Sequence, residues 1–144
     1  MYLLDTNVIL ELLLDQDRAG EVEELFEILP TDEICLSDFS LYSIGIILLR
    51  RREYGAFTKL ASDLYAAGVA IMRLNTNDLL NVPDGAQQFT LDFDDAYQYT
   101  LAKNYDCTLV SFDSDFDRTD RGRKTPAEII TQRKSAEIRS EEQN

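Results

Sequence analysis

Two short apolar runs of the sequence lead into a carboxylate. Asp5 follows Tyr2-Leu3-Leu4, and Asp113 follows Leu109-Val110-Ser111-Phe112. In an open parallel sheet, ligands bind beyond the carboxyl ends of the strands, where both side chains would stand. A third acidic group, Asp92, Asp94 and Asp95, precedes the second run. On a helix, Asp92 and Asp95 lie about 60° apart and share a face, whereas Asp94 is turned about 100° from Asp95. Carboxylates brought together cannot all stay ionised without a cation. A hard divalent ion such as Mg²⁺ or Mn²⁺ takes oxygen ligands, relieves that repulsion and activates water for phosphodiester hydrolysis. Simpler roles compete. Asp5 could serve only as an N-cap, and Asp113, Asp115 and Asp117 could sit in Asx turns. The run Asp113-Ser114-Asp115-Phe116-Asp117 also imitates the start of a calcium loop. It departs from one at Arg118, where Gly belongs, and at Lys124, where the bidentate Glu belongs.

Composition narrows the chemistry further. The chain has 144 residues and no His, which excludes a Ser-His-Asp triad, a Cys-His pair and a His-ligated zinc site. Its two Cys, Cys35 and Cys107, are far apart in apolar stretches and read as reduced core residues of a cytoplasmic protein. None of the six Gly falls in a Walker loop or a GxGxxG pattern. The opening residues lack a basic n-region, so no signal peptide is expected. The apolar run around Ile44 to Leu49 stops at Arg50, too soon to span a membrane. Net charge is −13, which argues against attachment to nucleic acid or to an anionic membrane by charge alone. The basic residues are nevertheless uneven, and local cationic patches remain possible. Arg118 to Lys124 forms a polar loop close to Asp113, and Arg121, Arg123 and Lys124 are its candidate RNA contacts. Arg50-Arg51-Arg52 reads more simply as a solvated helix end. Tyr42, Tyr97 and Tyr99 could stack on bases, although packing is the commoner use of aromatics at helical spacing.

The elements that must hold these carboxylates alternate along the chain. Tyr2 to Asp5 reads as a buried strand, and Thr6 or Asn7 can cap a helix from Val8 to Leu14. Ala19 to Leu29 has apolar residues at helical spacing, and Pro30 follows it. Glu33 to Leu36 is a strand candidate, and Ser37 or Asp38 caps a helix reaching about Arg52. A helix from Phe57 to Ala67 closes at Gly68, ahead of a β-type run from Val69 to Leu74. Thr76 to Val82 is a short helix that Pro83-Asp84-Gly85 should break. Asp92 to Asn104 is helical, Cys107 to Ser111 is a strand, Phe112 to Lys124 is a loop, and Pro126 starts a last helix. This alternation predicts an α/β domain with a mainly parallel sheet. Residues 1–132 form the domain, and residues 133–144 read as a charged, disordered tail.

On these residues the sequence resembles the PIN domain family. Asp5-Thr6-Asn7-Val8 after an N-terminal strand resembles the family's opening. Asp95-Ala96, a helix, and then Thr108-Leu109-Val110-Ser111-Phe112-Asp113-Ser114-Asp115-Phe116 resemble its later acidic segment. Pro126-Ala127-Glu128-Ile129-Ile130 is similar to its late Pro-Glu-Glu-hydrophobic segment. The resemblance implies a three-layer α/β/α fold and an Mg²⁺- or Mn²⁺-dependent ribonuclease, often the toxin of a VapBC-type toxin–antitoxin pair. It implies that Asp5, Asp95 and Asp113 are catalytic acids and metal ligands, with Asp115 as an accessory ligand. Thr6 and Asn7 would shape the first acid's turn, and Ser111 would orient a ligand or water.

One position departs from the family pattern. The family's second acid is usually a Glu in a segment like Ser-x-x-Thr-Leu-x-Glu-Leu, and here Ser43 stands in its place within Ser37-Asp38-Phe39-Ser40-Leu41-Tyr42-Ser43-Ile44. Asp38 lies about 140° around that helix from Ser43 and is a poor substitute. Asp92, sharing a face with Asp95, is the better one. A PIN-like domain that has lost hydrolysis and binds RNA or protein is therefore the alternative to an active nuclease. An RNA substrate, an antitoxin partner and no membrane follow from the resemblance and the composition. Leu12-Leu13-Leu14 adds the expectation of a homodimer, since one helix cannot turn three consecutive leucines toward one core.

Overall fold

The computed structural model describes residues 1–144. Four short strands, β1 (Tyr2–Leu4), β2 (Ile34–Ser37), β3 (Ala70–Met72) and β4 (Thr108–Val110), pair in parallel in the order β3-β2-β1-β4. Each crossover is helical: α1 (Thr6–Leu13) and α2 (Ala19–Ile28), then α3 (Asp38–Arg50) and α4 (Tyr54–Ala67), then α5 (Thr76–Leu79), α6 (Val82–Phe89) and α7 (Phe93–Tyr105). A final helix, α8 (Pro126–Glu142), follows β4. The result is the expected three-layer α/β/α domain. No helix is long and apolar enough to cross a membrane.

Side-chain alternation along the strands builds the layers. Leu3, Cys35 and Leu109 point to one side and pack with α6 and α7 through Val82, Ala96, Leu101 and Ala102. Leu4, Ile34, Leu36 and Val110 point to the other and pack with Val8, Val22, Leu25, Ile44, Leu48 and Ile129. Central β1 is covered on both faces, so Leu3 and Leu4 are both fully buried. The β1 ladder extends one residue past the strand, where Asp5 N–H donates to the Val110 carbonyl at 2.9 Å. β4 is not a bare edge either. Lys124 N–H donates to Leu109 O at 2.8 Å and Ser111 N–H to Lys124 O at 3.0 Å, adding a short parallel bridge.

Local rules explain most helix ends. Asp5 caps α1, Ser37 caps α3, and Gly68 closes α4 at φ 67°. Three expectations are corrected. Pro83-Asp84-Gly85 does not break a helix but belongs to the start of α6, since proline is tolerated in a first turn. Gly85 is there because a Cβ would come within 3.1 Å of the Tyr99 ring on α7. The loop from Phe112 contains a 3₁₀ turn, Ser114–Arg118, anchored by the fully buried Phe116. The segment 133–144, expected to be disordered, continues α8 to Glu142. Its Ala, Glu, Gln, Lys and Arg content favours helix, a Thr125–Glu128 capping box starts it, and Arg133 and Lys134 reach Glu33 and Glu24. The three leucines also settle within the chain. Leu12 and Leu13 end α1 and Leu14 is its C-cap, and that change of backbone lets all three lie half-buried against one core.

Candidate metal centre

Four segments meet at the carboxyl edge of the sheet, around a cavity of about 340 Å³ lined by Asp5, Thr6, Asn7, Ser43, Asp94, Asp95, Gln98 and Asp113 among others. Asp5 arrives at the end of β1, Asp95 on the first turn of α7, and Asp113 and Asp115 just beyond β4. Carboxylate oxygens of Asp95, Asp113 and Asp115 lie within 4.8 Å of one another, and all three residues are half-buried.

Asp5 is held differently. Only 7% exposed, it accepts hydrogen bonds from Thr6 N–H at 2.9 Å and Gln98 Nε2 at 3.1 Å on one oxygen, and from Ser111 Oγ at 2.7 Å on the other. Ser111 is a junction: besides donating to Asp5, its hydroxyl accepts from Asn7 Nδ2 at 3.2 Å and from Asp113 N–H at 3.0 Å. Asn7 Oδ1 in turn accepts from Phe112 N–H at 3.2 Å. Thr6 Oγ1 donates to Ser40 Oγ at 2.9 Å, and Gln98 Nε2 reaches that same oxygen at 2.7 Å. The expected supporting residues Thr6, Asn7 and Ser111 thus form one polar frame behind the acids.

Burial and mutual repulsion set the electrostatics. Asp5 is held above the usual carboxylate range by its burial, which its three hydrogen bonds oppose. Asp95 is pushed up to about 7, first by burial and then by the charges of Asp94, Asp113, Asp5 and Asp115. No basic residue lines the cavity. A hard divalent cation fits this donor set of oxygens, being the partner that relieves such crowding.

The segment around Ser43 is also resolved. Ser43 faces the cavity alongside Asp5, Asp94 and Asp95. Asp38 faces away, because the Tyr97 hydroxyl donates to its carboxylate at 2.7 Å. Asp92 is exposed at the N-cap of α7 and does not line the cavity, whereas neighbouring Asp94 does. α7 begins after Asp92, so that residue turns with the loop. Gln98 is the other residue sequence reasoning missed. It is buried, one turn beyond Asp95, and its Oε1 has no partner. A lone amide between two aromatics, in the stretch Ala96-Tyr97-Gln98-Tyr99, was the available signal.

The basic loop is spent largely on the protein itself. Arg121 pairs with Asp106 at 3.0 Å. Arg123 pairs with Asp117 at 3.1 Å and donates to Ser111 O at 3.0 Å. Lys124 lies 3.9 Å from Glu128. Tyr97 and Tyr99 are packing residues whose hydroxyls bind Asp38 and Asp120, and Tyr42 alone stands exposed.

A parallel sheet with an acidic cluster beyond its carboxyl edge defines a class of small α/β domains. Residues 2–122 match the PIN domain family, and the chain belongs to that family. Solved structures share the fold at low identity. A toxin–antitoxin complex from Klebsiella pneumoniae is 19% identical, with a TM-score of 0.70 over 88% of this chain and 98% of that one. VapC20 from Mycobacterium tuberculosis, a toxin that cleaves the sarcin–ricin loop, is 18% identical, with a TM-score of 0.70 over 81% and 93%. FitAcB from Neisseria gonorrhoeae is 20% identical, with a TM-score of 0.67 over 88% and 99%. No curated protein matches the chain in sequence.

Proposed function

We propose that this PIN domain is a divalent-metal-dependent RNA endonuclease and the toxin of a toxin–antitoxin pair, working in the cytoplasm. The observation that carries the reading is the group of Asp95, Asp113 and Asp115 carboxylates within 4.8 Å, in the PIN frame and beside Asp5. These residues would hold Mg²⁺ or Mn²⁺. When bound, such an ion supplies an activated water and neutralises charge on the phosphate. The chain's own residues prepare that chemistry. Ser111 and Gln98 fix both Asp5 oxygens in place, and Asn7 ties the Ser111 turn to α1. Ser43 offers a hydroxyl without charge where the family pattern has an acid, and Asp94 on the same cavity wall supplies the missing carboxylate. Cleavage of the sarcin–ricin loop by VapC20 supports RNA as substrate, and the toxin–antitoxin complexes among the neighbours support an antitoxin partner. The homodimer remains part of this reading, supported by Tyr42, Ile46 and Leu49, an exposed apolar stripe on α3. Sedimentation of wild type and Ile46→Glu checks it.

The decisive experiment is calorimetry with Mn²⁺ beside RNA cleavage, on wild type and Asp95→Asn. Metal binding and cleavage that both fall in the variant support the enzyme. Binding of RNA with no cleavage in Mg²⁺ or Mn²⁺ supports the second reading, a weakened PIN domain acting as a binding module, which Ser43 favours.

A further inference from the structure

An acidic centre must still attract a polyanion, and in a chain of net charge −13 the question is which cation does it. Eight of the 14 Lys and Arg, including Arg118, Arg121, Arg123 and Lys124 near Asp113, are already in ion pairs. Arg18 is not. Its guanidinium has no carboxylate partner and no protein acceptor, and it stacks on the Phe112 ring at 3.9 Å from the centroid. Its backbone is fixed as the N-cap of α2, and its N–H donates to Glu11 Oε1 at 2.8 Å.

The platform it stacks on belongs to the acidic centre. Phe112 lies between Ser111 and Asp113, and its N–H is bound to Asn7. A second cavity of about 360 Å³, walled by Arg18, Phe112, Leu14, Gln16 and Glu11, whose carboxylate accepts from the Arg18 backbone, shares Asn7, Leu10 and Asp113 with the centre's own wall. Arg18 is the only cation lining either of these two cavities. A guanidinium braced on an aromatic face keeps its N–H edge free and oriented, an arrangement suited to a phosphate.

We propose that Arg18, held on Phe112, binds a backbone phosphate of the RNA flanking the one at the acidic centre. It thereby directs the strand across the α1–α2 turn rather than over the Arg121–Lys124 loop. Arg18 is a substrate-positioning residue here, and the proposal rests on the nuclease reading above.

The test is fluorescence anisotropy with a labelled single-stranded RNA of about 12 nucleotides, in Ca²⁺ and across a salt series. Arg18→Ala should weaken binding about tenfold and reduce the slope of log affinity against log salt by about 0.7, the share of one phosphate contact on a single strand. Arg18→Lys should keep most of the slope, and Arg121→Ala should leave it unchanged. Mn²⁺ calorimetry should be the same for Arg18→Ala and wild type, which separates strand positioning from damage to the centre. An Arg18→Ala protein with the wild-type slope and affinity overturns the proposal while leaving the nuclease reading intact. A fall in melting temperature with no change in slope likewise overturns it, by reducing Arg18 to a packing residue. Wild type that binds Mn²⁺ but neither binds nor cleaves RNA defeats both.

Discussion

At the scale of single residues, function depends on which carboxylates the frame leaves unsatisfied. Asp5 already accepts from Thr6, Gln98 and Ser111, whereas Asp95 is crowded by four other acids. Asp94→Asn is therefore expected to weaken Mn²⁺ affinity about tenfold, in the range that partners of a ligand contribute, with Asp92→Asn neutral by calorimetry. Ser43→Glu should raise cleavage and Asp38→Ala should change it little, since Tyr97 holds Asp38 away. The Asp95 carboxyl also carries a pH signature. Its ordinary value of 3.8 is pushed up to about 7 in the folded protein, by burial first and then by the Asp94, Asp113, Asp5 and Asp115 charges. Between those values the folded state holds a proton that the unfolded state lacks, so stability falls as pH rises through that window. Metal-free protein should melt higher at about pH 5 than at about pH 7.5, and saturating Mn²⁺ should narrow the gap. The meeting of Asp95, Asp113 and Asp115 was legible because a strand end and a helix face announce themselves in sequence. Gln98 and Asp94 were not, because their roles depend on where α7 begins and on what the sheet brings opposite.

At the scale of elements, periodicity and capping carried most of the reading. β1, α2, α3, α4 and α7 stand within a few residues of where apolar spacing and cap residues put them. The α5–α6 region resisted because Pro83 and Gly85 signal both a break and a beginning, and only the Tyr99 ring decides between them. Gly85→Ala should test that packing. It puts a methyl group 3.1 Å from an aromatic ring, and the crowding, less the ~1 kcal/mol that alanine gains over glycine in a helix, leaves an expected loss of up to about 2 kcal/mol in urea unfolding. Thr125→Ala removes one half of the α8 capping box and should cost about 1 kcal/mol. The helical tail was missed because its residues look solvated, as they are. Composition alone does not distinguish a disordered charged segment from the exposed extension of a well-capped helix.

At the scale of the whole molecule, two cores share one four-stranded sheet. Truncation should expose how the last helix divides. A chain ending at Lys134 keeps Ile129 and Ile130 in the core and should melt close to the full-length protein. One ending at Thr125 loses both, each worth roughly 1.5–3 kcal/mol of burial, and is expected to unfold at markedly lower urea.

The pairing of β1 with β4 has a consequence in time. Tyr2–Leu4 is synthesised more than a hundred residues before its partner Thr108–Val110. Until then β1 has only β2 beside it, Asp5 lacks Ser111, and Asp113 and Asp115 have not been made. No nascent chain that stops before Asp115 holds the full acidic group, and closing so long a loop is among the slower steps of folding. Synthesis itself therefore delays the centre: the Asp5 carboxylate waits, without its Ser111 hydrogen bond and its acidic neighbours, until the β4 segment has been made.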